Sequence, residues 1–65
     1  MLDCKKMRAL RERQELSQED AAKAAGMSGR QQWYLIESGT RADVTLTTLD
    51  KIAKALGVKA KDLLR

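Results

Sequence analysis

The chain is 65 residues long, carries 13 basic and 9 acidic side chains for a net charge of +4, and contains no His and no Pro. That length suits one domain with a modest core, spanning residues 1–65. The missing His removes the commonest general base and metal ligand, and the single Cys4 can form neither an internal disulfide nor a thiolate metal site alone.

The expectation is therefore a protein that is not an enzyme and needs no metal or cofactor. One free thiol suits a reducing, cytoplasmic setting, with Cys4 as a small apolar residue of a helical stripe. No apolar run is long enough to span a bilayer and no signal-peptide pattern opens the chain, so no membrane partner is expected. The basic balance favours a polyanion. Residues 1–16 carry five basic and three acidic side chains, residues 17–39 two and three, and residues 40–65 six and three. Positive charge thus flanks the centre, a pattern in which the flanks attract and the centre discriminates. Scattered surface lysines on a small basic protein would give the same totals.

No segment alternates with period two, so strands are not expected, and apolar residues recur at helical spacing instead. Cys4, Met7 and Leu10 predict a first helix over about residues 3–14. Ser17-Gln18-Glu19-Asp20 reads as a capping box opening a second helix, with the Ser17 hydroxyl accepting a backbone N–H and Asp20 reaching back. That helix runs to about Ala25 and ends at Gly26. Ser28 is the candidate N-cap of a third helix, which Ser38-Gly39 closes. Thr45 caps a fourth, whose apolar stripe is Leu46, Leu49, Ile52, Ala53 and Leu56, with Gly57 at its end. A short fifth helix is expected over Ala60–Leu64, without a good cap because Lys59 stands where Ser or Asp would serve. Of the adjacent Leu63 and Leu64, one should pack under Val58 and the fourth helix while the other stays at the surface. The sum is an all-α domain of four to five helices.

The stretch GMSGRQQWYLIESG, Gly26–Gly39, places the only Trp and the only Tyr side by side after Arg-Gln-Gln. At roughly 100° per residue, Trp33, Ile36 and Glu37 share the inward face. Gln31 and Leu35 point away from it, Ser28 lies close behind them, Gln32 and Tyr34 take the two shoulders, and Arg30 holds the amino-terminal edge. Trp33 is then core and Tyr34 surface. The outward side is either a solvated polar face or a reading surface.

LSQEDAAKAAGM, WYLIESG and TLTTLDKIAKALGV together resemble the Cro/repressor (xenobiotic-response-element) family of helix-turn-helix domains, over about Met7–Leu64. The matching elements are Arg11, Ser17-Gln18, Ala22, Gly26, Ile36-Glu37, Gly39 and LDKIAKALGV. The resemblance implies a lambda-repressor-like fold in which Ala22 is small because the second and third helices cross there. It also implies an internal Arg11–Glu37 ion pair. Three departures stand out. Gly26–Gly39 is one residue longer than usual, with the extra residue placed near Met27–Gly29. Ala21 and Ala25 replace Leu or Val while Trp33 replaces Ile or Val, an exchange that conserves volume. Asp43-Val44-Thr45 stands where a proline is usual before the fourth helix.

The function so implied is sequence-specific binding of double-stranded DNA by a transcriptional regulator, with the third helix in the major groove. Arg30, Gln31, Gln32 and Leu35 are the candidate base readers, since Gln pairs with adenine, Arg with guanine, and a leucine with a thymine methyl. Ser17, Gln18, Ser28, Tyr34 and Arg41 are the candidate backbone contacts, helped by the positive end of the second helix. Relatives of this kind act as homodimers on palindromes; here self-contact would fall to the last two helices and the loop before the fourth. A protein-interaction module of the same fold, antitoxin-like or an anti-regulator, is the competing reading.

Overall fold

The computed structural model describes residues 2–41 and 44–64. Four α-helices follow one another: α1 (Cys4–Arg13), α2 (Gln18–Ala24), α3 (Arg30–Glu37) and α4 (Leu46–Leu56), with a single 3-10 turn at Ala60–Leu63. Among the described residues there is no strand, only an isolated antiparallel bridge joining Leu2 to Leu64. The all-α expectation is met.

Each start has a chemical cause. Asp3 caps α1 by accepting the Lys6 N–H at 3.1 Å. Ser17 caps α2 by accepting the Asp20 N–H at 3.0 Å, and Thr45 caps α4 by accepting the Thr48 N–H at 3.2 Å. The Ser17 box is half formed. No return bond from Asp20 is present among the described residues. Ser28 is not the cap of α3: extended Gly29 holds that position, with no side-chain bond. The 3-10 turn gains from Asp62, whose carboxylate accepts the Lys59 N–H at 3.2 Å. The expected fifth helix is thus one tight turn, stopping at Leu63.

The ends share one device. Glu15, Gly26, Gly39 and Gly57 all take left-handed backbone, at φ 57°, 73°, 84° and 70°. At Gly26 the motif is complete: its N–H donates to the Lys23 carbonyl at 3.0 Å and the Met27 N–H to the Ala22 carbonyl at 2.9 Å. Only Glu15 adopts this conformation with a side chain attached, which is why no glycine marked the end of α1 in the sequence.

The core gathers Met7, Ala21, Ala22, Ala25, Trp33, Ile36, Leu49, Ile52, Ala53, Leu56 and Leu63. Trp33 is fully buried, and Ala21 and Ala25 belong to the same cluster. Leu63 is buried and Leu64 is 42% exposed, the expected split. Leu46 departs from the predicted α4 stripe. It is 73% exposed because the first residue of α4 projects beyond the described elements that cover Leu49 and Ile52. Gln14, just past α1, donates its side-chain N–H to the Leu56 carbonyl and so binds the end of α1 to the end of α4.

Candidate nucleic-acid interface

α2 and α3 make the most extensive contact between elements, with Ala21, Ala22 and Ala25 buried where they meet. Residues 25–29 connect them. The first three of these complete the left-handed stop at Gly26; Ser28 and extended Gly29 then carry the chain to α3. The inward face of α3 keeps the predicted phase: Trp33 and Ile36 are buried and Glu37 is half-buried.

Glu37 fixes α3 to both earlier helices. Its Oε1 accepts from Arg11 Nε at 2.8 Å and from Trp33 Nε1 at 2.9 Å. Its Oε2 accepts from Arg11 Nη2 at 3.2 Å and Gln18 Nε2 at 3.0 Å. Arg11 also donates to the Leu16 carbonyl at 2.7 Å, which holds the α1–α2 connection against the pair. The implied ion pair is therefore present, and two further donors join it that the sequence did not reveal. Burial pushes the Glu37 carboxyl upward, but the hydrogen bonds from Arg11, Trp33 and Gln18 with the Arg11 charge bring it below the ordinary glutamate value. The Glu37 hydrogen bond lifts the Arg11 guanidinium above its own ordinary value, against the effect of burial.

On this base the outward side of α3 stands clear. Arg30, Gln31, Gln32 and Tyr34 are exposed, as are Ser17, Ser28 and Arg41. Gln18, Arg30, Gln31, Tyr34 and Leu35 line one open cleft between the start of α2 and α3. Gln32, Ser17, Ser28 and Arg41 lie outside that cleft. Leu35 is half-buried, less free than its place opposite Trp33 suggested, because the chain turns back after Gly39 and the Arg41 N–H donates to the Leu35 carbonyl at 3.0 Å. Gln18 has one amide N–H turned inward to Glu37, so only part of its donor capacity faces the cleft. Asp43, from the segment preceding α4, lies outside the described residues.

Two helices packed through small alanines, a glycine stop between them, and a second helix showing a polar outer face form a helix-turn-helix arrangement. The family model described as a helix-turn-helix domain matches residues 5–65. The chain belongs to the helix-turn-helix domain family. Neither a curated protein nor a solved structure gives a significant match.

In this helix-turn-helix domain α2 and α3 are the two name-giving helices. Membership points to a DNA-binding regulator with nucleic acid as its partner. Among the described residues no helix is long and apolar enough to cross a membrane.

Proposed function

We propose that this helix-turn-helix domain is a sequence-specific transcriptional regulator that lays α3 in the major groove of double-stranded DNA and sets α2 across the backbone. The observation that carries the reading is the open cleft in which Arg30, Gln31 and Tyr34 stand exposed beside Gln18. Two-pronged pairing needs side chains free to approach a base edge from a rigid support, and the Glu37 network supplies the support. Gln31 is the central reader, suited to adenine; Arg30 reads a neighbouring guanine; Gln32 reaches the flank; Leu35 offers an apolar edge to a thymine methyl. Ser17, Gln18, Ser28, Tyr34 and Arg41 take the backbone, where the positive end of the α2 dipole adds attraction.

The domain acts as a homodimer on a palindrome. Leu46 and Leu64 are the large apolar side chains left exposed away from α3, and they offer a start for a two-fold contact. Two copies then present α3 about 34 Å apart, one turn of duplex.

Selection from random duplexes, followed by sequencing and binding over a salt series, tests all of this. Two inverted half-sites and a linear fall of log affinity with log salt are expected. Gln31→Ala should lower affinity for the selected site by about 1–3 kcal/mol and relax the preference at one base pair. Enrichment of no motif, with affinity indifferent to salt, would replace this reading by the protein-interaction module. A single half-site bound one-to-one would remove the dimer alone.

A further inference from the structure

A second cleft lies behind the first. Arg8, Arg11, Gln18, Tyr34, Glu37 and Ser38 line it, and it shares only Gln18 and Tyr34 with the reading cleft. The two clefts therefore meet along a ridge made of those two side chains. The Arg11–Glu37 pair explains why the second one exists. Arg8 precedes Arg11 by three residues on α1, and Tyr34 precedes Glu37 by three on α3, so each lies one turn from the pair on the same face of its helix. Tying Arg11 to Glu37 brings Arg8 and Tyr34 together above them. Arg11 and Glu37 are nearly buried, with side chains 12% and 6% exposed, and their charges cancel. What the cleft shows to a ligand is consequently Arg8.

Arg8 is held loosely. Its Nε meets Glu12 Oε2 at 3.3 Å, with the two side chains 65% and 56% exposed. A surface pair of this kind holds its members weakly. Its Nη groups and the Tyr34 hydroxyl have no hydrogen-bond partner among the described residues. The cleft is open to solvent and offers ≈ 270 Å³. A phosphate group fits with the waters around it.

We propose that this cleft is a second backbone site, in which Arg8 on α1 and Tyr34 on α3 take a DNA phosphate beyond the Gln18–Tyr34 ridge. The proposal rests on the DNA-reading function above, because the strand that enters it is the one leaving the reading cleft. Arg8 exchanges Glu12 for the phosphate when DNA binds, and Glu12 competes with DNA for Arg8. Sequence reading missed Arg8 because one arginine among the five basic residues of the first 16 carries no mark of facing α3; the ion pair in the floor puts it there.

The experiment compares Arg8→Gln, Glu12→Gln and Lys61→Gln with the parent on selected and mixed-sequence duplexes across a salt series. Lys61 lies in the 3-10 turn outside both clefts, so its variant controls for the loss of one positive charge. Arg8→Gln should weaken both duplexes by the same factor and reduce the slope of log affinity against log salt by about 0.9, the release of one phosphate's counterions. Glu12→Gln, which leaves Arg8 in place, should tighten both duplexes. Lys61→Gln should keep the parent slope. If the parent binds with a steep slope and neither Arg8→Gln nor Glu12→Gln changes it, the second site is wrong and the reading cleft stands. A loss with Arg8→Gln confined to the selected duplex also overturns it, since phosphates carry no sequence. A parent indifferent to salt overturns the DNA reading itself, a separate result.

Discussion

Glu37 shows how much a single carboxylate can organise. Four donors from α1, α2 and α3 converge on its two oxygens, so losing one partner would leave the others half-satisfied in a nearly buried place. Trp33 is part of this through its indole N–H, which makes it more than a space-filler opposite Ala21 and Ala25. Glu15 is the opposite kind of residue, tolerated and not ideal. Its left-handed backbone lets Leu16 donate to the Arg11 carbonyl at 3.1 Å and close α1, at a conformational cost glycine would not bear. Glu15→Gly should therefore raise stability by about 0.5–1 kcal/mol, after allowing for the greater freedom of glycine in the unfolded chain. Urea denaturation measures it, and a lower midpoint would contradict the assignment.

At the scale of elements, α3 is the helix on which the proposed function rests, and its start has no side-chain cap. Gly29 offers no side-chain acceptor, and a Cβ built there meets nothing within 4 Å. Its backbone is extended, at φ −176°, which any residue adopts. Gly29→Asp should cap α3 and stabilise the fold by about 0.5–1 kcal/mol. The same carboxylate would stand at the edge of the reading surface and repel phosphates, so DNA affinity should fall while the melting temperature rises. Both moving up together would place the start of α3 away from the DNA. α4 was readable in advance through its cap, stop and stripe. Leu46 was not, because periodicity reports which residues share a face but not how far along a helix its neighbours extend.

For the molecule as a whole, the Glu37 network links pH to folding. The folded pKa of Glu37 lies below the ordinary glutamate value of 4.5. The stabilisation from its ionised form is accordingly complete above that value and is lost as pH falls through the lower folded one. An NMR titration of the Glu37 carboxyl should find its midpoint below 4.5, with the urea midpoint falling over the same acid range. A midpoint at or above 4.5 would mean that burial outweighs the four donors. On the proposed function, the positive charge that flanks the centre of the chain would supply attraction over a distance and leave the central segment to discriminate.

The sequence by itself determined the four α-helices, their caps at Ser17 and Thr45, the glycine stops and the inward phase of Trp33, Ile36 and Glu37. All of these are local: they follow from helical period, capping chemistry and the backbone freedom of glycine. Only the tertiary structure decided that Gln18 and Trp33 both donate to Glu37, that Gly29 and not Ser28 begins α3, that Leu46 is exposed, and that Arg8 faces Tyr34 across a second cleft. Each of these depends on where distant segments meet. One pattern of charges and amides on separate helices is compatible with many pairings until packing fixes the distances between them.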